Sequence, residues 1–293
     1  MSDLADRPFT HLPPAAAGLG GLFARPKVIA AICIVALAGL GWAYLGILTA
    51  ASPVPAGGSW LSSLCRPLAV QSPAGMSAVT ELTFAFLMWS AMSLAMMLPS
   101  AAPMILTYAE IADTAMRKGE PVVTPFALAF GYAAIWIGFS LVAALAQIVF
   151  TRTGLLASGQ AATGFSAALF VIAGLYQFSS LKQSCLSACQ RPFPFFFANW
   201  KTTTRGVFGL GLRQGMHCLG CCWAMMALML GVGAMNPLWM AGLGLVMTAE
   251  KMTATRKFSH AIGVILIAAG LAAAALQWFG LPVPAWPLIG VWS

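Results

Sequence analysis

Apolar runs of near-membrane length, separated by short stretches that hold most of the charges, set the pattern of this chain. They fall at about 28–50, 79–98, 122–149, 162–181, 212–233, 237–250 and 259–280. Each except the sixth is close to the ~20 residues a helix needs to cross a bilayer. The pattern predicts an all-α fold, a polytopic transmembrane helix bundle of about seven spans, or six if the sixth run does not cross. At ~1.5 Å per residue, Pro237 to Glu250 reaches only about 21 Å. Crossing there requires local thinning, burial or a helix carried past Lys251. No stretch is long and polar enough for a separate soluble domain, so the expected organisation is a cytoplasmic tail at 1–27 and a single transmembrane domain at 28–293.

Composition removes the alternatives. The 293 residues are 60% apolar and 8% charged, whereas a soluble surface needs about a quarter of the chain charged. A soluble globule, a disordered chain and a disulfide scaffold are excluded. The net charge of +8 sorts by loop rather than gathering in a patch. Arg7, Arg25 and Lys27 precede the first run, Arg66 follows it, Arg117 and Lys118 follow the second, and Arg152 follows the third. Lys182, Arg191, Lys201, Arg205 and Arg213 follow the fourth, and Lys251, Arg256 and Lys257 follow the sixth. The segment after the fifth and the C-terminal tail carry no cation. This alternation fits a multi-pass protein of the bacterial inner membrane with a cytoplasmic N-terminus, and it accounts for the basic balance without a nucleic-acid partner. The first run is too long, and begins too late, for a cleaved signal. Read as an uncleaved anchor, it places Trp60, Cys65 and Arg66 in an outer loop. Trp278, Trp286 and Trp292 read as an outer aromatic belt.

Candidate chemistry begins with sulfur. Cys33 and Cys65 stand alone and read as small apolar residues or spare thiols. The other five cluster: Cys185 and Cys189 just beyond the fourth run, and Cys218, Cys221 and Cys222 one turn into the fifth, beside His217. On a helix, residues three and four apart share a face, so His217, Cys218, Cys221 and Cys222 form one compact patch, with Met225 and Met229 continuing it. Soft thiolate, thioether and imidazole ligands favour copper(I) or zinc over magnesium or calcium. The competing reading is that Cys, with Gly215 and Gly220, simply packs at a helix contact. If the fourth helix continues past Lys182, Cys185 and Cys189 share a face and complete a four-coordinate site. A redox pair is the alternative, although C-x-x-C is the usual redox spacing. The aromatic and cationic stretch from Arg191 to Lys201 reads as an interfacial segment.

The second run carries Met88, Met92 and Met96 at four-residue spacing, with Glu81 on the same face toward the outside. Such a stripe is either adaptable packing or a soft-metal path. Glu81 itself reads as an outer metal acceptor or a solvated interface residue, and Glu250 with Lys251 as an interfacial ion pair. Asn236 before Pro237 reads as a helix cap.

These motifs together carry a resemblance. Met88-Trp89-Ser90-Ala91-Met92 with Ala95-Met96-Met97-Leu98-Pro99, Tyr176-Gln177 with Lys182, Cys185-Leu-Ser-Ala-Cys189, Gly220-Cys221-Cys222-Trp223, Met235-Asn236-Pro237-Leu238-Trp239 and Glu250-Lys251 resemble the bacterial family of predicted metal-binding integral membrane proteins, a domain family of unknown function. The resemblance spans roughly residues 80 to 252 and implies a helical membrane fold that binds metal. In that family a His commonly stands where this chain has Gln214, and this chain carries His217 one turn on.

Two function classes follow. One is a copper-handling membrane protein, a transporter or a metal-loading partner of another membrane or periplasmic protein. Glu81 would receive metal, Met88, Met92 and Met96 would relay it, and the inner Cys and His groups would hold it. The other is a membrane redox enzyme or enzyme subunit with a fixed metal centre. Zinc is the alternative metal, ahead of iron or haem. No Ser-His-Asp set, phosphate loop or paired buried carboxylates are visible, so hydrolase and nucleotide-driven pump readings carry little weight.

Overall fold

The structure is a computed structural model that describes residues 77–156, 160–232, 237–253 and 255–279, with scattered helical positions between 32 and 47. The tail at 1–27, Cys33, Cys65, Asn236, the outer loop around Trp60, and Trp286 and Trp292 lie outside the described residues. Within them all regular structure is helical: α1 Ala78–Arg117, α2 Pro125–Arg152, α3 Gln160–Tyr176, α4 Ser180–Gln190, α5 Pro192–Ala198, α6 Thr204–Val232, α7 Pro237–Met252 and α8 Arg256–Trp278. Three of these, α1, α2 and α8, are long and apolar enough to cross a membrane, and α3 with α4 makes a fourth such segment if the bent pair is one span.

Two helices depart from the expected runs. The second run was expected to end at Leu98, before Pro99, but α1 continues through Pro99 and Pro103 to Arg117, 40 residues in all. Each proline forfeits one backbone hydrogen bond, a loss that neighbouring packing outweighs. The extension is anchored by Tyr108, which is fully buried, stacks on Trp200 and meets Phe196 edge-on. Its hydroxyl donates to the carbonyl of Val123 at 3.1 Å. The aromatic stretch after Arg191 is therefore split. Phe196 joins the core, while Phe193 and Phe197 stack on each other and stay exposed.

The fourth run does not continue as one helix past Lys182. It stops at Tyr176, turns through Gln177–Ser179 and restarts at Ser180 with a 66° bend. Ser179 supplies the restart, its hydroxyl accepting from the Lys182 backbone N–H at 3.1 Å, as an N-cap residue does. Cys185 and Cys189 thus ride on a separate short helix.

The core is organised around α6, which packs against α2, α3, α4 and α7, while α1 lies on α2 and α8 on α3. Gly131 and Gly211 make the α2–α6 contact possible. A Cβ at Gly131 would collide with the carbonyl oxygen of Phe208, and one at Gly211 with that of Leu128. This close approach is the small-residue packing expected where helices have little hydrophobic drive to associate. Helix α7 closes the bundle over α1, α6 and α4, so the residues at its C-terminal end reach three helices at once.

Candidate metal centre

The thiols of Cys218, Cys221 and Cys222 lie within 4.8 Å of one another, and all three residues are buried. Helical spacing on α6 brings them together, and the Cys221 and Cys222 sulfurs are 3.3 Å apart. No disulfide joins them, or Cys185 and Cys189. Helix α4 brings the Cys189 thiol near those of Cys218 and Cys221, outside the compact group of three. It can lie this close because Gly220 has no side chain: a Cβ there would sit 2.6 Å from the Cys185 sulfur. The Tyr176 hydroxyl fastens the same place by donating to the Gly220 carbonyl. Three thiols on α6 therefore converge, with Cys189 and Cys185 of α4 facing their edge.

His217 is not brought into this group. Its ring meets Phe195 edge-on at 6.3 Å, and the compact ligand group contains the three cysteines without it. Residue Gln214, by contrast, points into the α4–α6 seam. Its side-chain amide donates to the carbonyl of Ala188, beside Cys189, at 3.3 Å, and its buried Oε1 has no partner. Gln214 thus faces α4 beside Cys189, and His217 faces an aromatic ring.

Polar groups on three other helices surround Cys218. The Tyr132 hydroxyl lies 3.0 Å from its sulfur and 3.2 Å from the carbonyl of Met97. The Lys251 ammonium donates to the Cys218 sulfur at 3.1 Å and to the Ser100 hydroxyl at 2.7 Å. An ammonium beside a thiol favours the thiolate, the form that binds metal. Glu250 does not pair with Lys251. Both of its carboxylate oxygens accept from the Lys182 ammonium, at 2.8 and 3.1 Å, in an ion pair whose side chains are 1% and 2% exposed. Gln190 adds bonds to the carbonyls of Glu250 and Thr253, each at 2.8 Å. Adjacent residues on α7 therefore serve opposite sides: Glu250 holds α4, and Lys251 reaches the thiols and α1.

Met88, Met92 and Met96 are all buried, at 2%, 0% and 3% exposure. Their four-residue spacing continues to Ser100, whose hydroxyl accepts from the Lys251 ammonium that also reaches Cys218. Met225, Met229, Met240 and Met247 from α6 and α7 belong to the same core. The Gln177 amide donates to the Met225 sulfur at 3.3 Å. Glu81 stands in the first turn of α1, where Arg152 donates to it at 3.0 Å.

The sequence did not mark Lys251, Tyr132 or Ser100 as neighbours of the thiols. The one available signal was the cost of ionisable residues within apolar helices, which marks Lys182, Glu250 and Lys251 together but does not say how they pair.

A family model described as copper chaperone, PpoB2, matches residues 86–273, well over half of the chain. The chain belongs to this family. The match takes in every helix of the thiol group and the methionine stripe, and family and thiol group together point to copper handling. No curated protein and no solved structure matches the chain.

Proposed function

We propose that this chain is a membrane-embedded copper chaperone of the bacterial inner membrane, which holds Cu(I) on Cys218, Cys221 and Cys222 and loads it into a membrane or periplasmic protein partner. The observation that carries this reading is three mutually adjacent, buried thiols in a member of a copper chaperone family. Thiolates are the soft ligands Cu(I) prefers, and zinc competes for the same set. Cys189 serves as a further ligand, and Cys185 as the thiol through which metal exchanges at the edge. His217 lies outside the ligand set in this reading.

The methionine stripe serves as the delivery route. Thioethers bind Cu(I) more loosely than thiolates, so Met88, Met92 and Met96 pass the ion along while the cysteines retain it. Support comes from the continuity of the stripe with Ser100 and Lys251, which touches Cys218. Glu81 acts at the outer end of the route, where Arg152 must release it before it can take a cation. Loop charge supports seven crossings with a cytoplasmic N-terminus and the thiols at the inner end. Lys182 leaves that tally, being buried on Glu250, but Arg191, Lys201, Arg205 and Arg213 keep the loop basic.

Metal analysis of protein purified under reducing conditions tests the reading. The wild-type chain is expected to carry copper, and a Cys221→Ser/Cys222→Ser double variant to lose most of it, while Met216→Leu, outside the thiol group, keeps it. Equal copper in the double variant would leave packing as the role of these cysteines. Zinc in place of copper would reassign the cargo.

A further inference from the structure

We infer that the cleft between α4 and the start of α8 is a binding site for a phosphate-class oxyanion, distinct from the thiol group. The cleft has a volume of about 480 Å³, and its lining includes Arg191, Arg256, His260 and the hydroxyls of Ser180, Ser184 and Ser187. No carboxylate lines it. Glu250 of α7, whose carbonyl accepts from the cleft-lining Gln190, has its carboxylate paired with Lys182. Neither Arg191 nor Arg256 has an ion pair or hydrogen bond among the described residues, and His260 is held flat against Phe178 with ring centroids 5.0 Å apart. The cleft therefore gathers cationic and hydroxyl donors with nothing negative to answer them. Guanidinium groups are matched in geometry to phosphate and carboxylate oxygens. The Ser184 and Ser187 hydroxyls donate to the Ser180 and Ser184 carbonyls of their own helix, at 2.9 and 2.8 Å, and turn from them to complete the shell when an anion is seated. Thr255, which also lines the cleft, caps the 23-residue α8 without a side-chain hydrogen bond, so first-turn N–H groups remain for an anion.

The place of the cleft gives the site its interest. Successive residues on a helix turn by ~100°, which sets Ser180, Ser184 and Ser187 on one side of α4 and Cys185 and Cys189 on the other. An anion seated in the cleft would brace the outer side of the helix whose inner side covers the copper ligands. The chemistry recognised is a phosphate group with oxygens free to accept, which either an anionic phospholipid headgroup or a soluble phosphate presents.

The full-length protein, purified and reconstituted in nanodiscs of phosphatidylcholine with or without phosphatidylglycerol, tests this by native mass spectrometry of retained lipid. In parallel, inorganic phosphate is titrated in detergent against a thermal-shift readout at matched ionic strength. The wild type is expected to retain phosphatidylglycerol, to be stabilised by phosphate, or both. Lipid alone identifies a headgroup site and phosphate alone a soluble-anion site. An Arg191→Gln/Arg256→Gln variant should bind at least tenfold less, while Lys257→Gln, an exposed cation that does not line the cleft, binds as the wild type does. If the double arginine variant does not fold, Ser184→Ala/Ser187→Ala replaces it with the same expectation. Binding of neither probe to the wild type, or equal binding by the variant that folds, overturns the inference. Copper content measured on the same samples keeps this result separate from the fate of the thiol reading.

Discussion

Lys251 is the residue on which the thiol group most depends for its surroundings. Its ammonium joins the Cys218 sulfur to the Ser100 hydroxyl, and hydrogen bonds to charged groups are worth roughly twice neutral ones. Lys251→Met fills similar space but removes both bonds, and it is expected to weaken Cu(I) binding about tenfold, a loss of ~1.4 kcal/mol. Competition against a chromophoric Cu(I) chelator measures this, and Lys251→Arg, which keeps the charge, should restore most of it. An unchanged affinity in Lys251→Met would reduce the residue to a packing role. Gly220 acts differently, through what it lacks. With the Cys185 sulfur only 2.6 Å from the place of a Cβ, any larger residue must turn the Cys185 side chain aside or push α4 away from α6.

At the scale of elements, α4 is a short polar helix held against the core by its own ion pair. Breaking one side of a buried pair costs about 3–5 kcal/mol because the remaining charge is stranded, whereas replacing both partners by apolar groups is often neutral. Lys182→Met is therefore expected to lower the thermal midpoint sharply, and Lys182→Met/Glu250→Leu to recover it. Comparable losses in the single and double variants would mean the pair contributes packing rather than charge balance. The stripe on α1 is tested by the opposite logic, a change that spares packing. Met→Leu in a core usually costs under ~1.5 kcal/mol but deletes the thioether. Met88→Leu/Met92→Leu/Met96→Leu should fold and keep copper on the cysteines, yet fail to supply the partner in cells. Normal delivery by this variant, at normal expression, would end the relay reading and leave the thiols alone as the site.

For the whole molecule the issue is orientation. Trp200 packs on Tyr108, so a reporter is better placed next door at Lys201, which is exposed. In a cysteine-free background, Lys201→Cys is expected to resist a membrane-impermeant thiol reagent added outside cells and to react once the membrane is opened. Labelling from outside would invert the topology and place the thiols at the outer end. Copper should also stabilise the assembled protein, since a ligand that binds only the folded state at a hundred times its Kd adds about 2.7 kcal/mol.

Hydrophobic run length by itself determined that the chain is helical and apolar enough for a membrane, because a span needs only enough consecutive apolar residues and their order is read directly. Helical periodicity likewise made Cys218, Cys221 and Cys222 one patch, since neighbours on a single helix are fixed by spacing. What the sequence did not decide was everything that depends on a second helix. Whether the fourth run bends at Gln177–Ser179, that α1 outlasts two prolines, that α4 lays its cysteines against α6 at Gly220 while His217 turns to Phe195, and that Glu250 pairs with Lys182 rather than Lys251 all depend on contacts between residues distant in sequence. Each is settled by which surfaces pack together and by the need to neutralise buried charge, and only the tertiary structure shows that outcome.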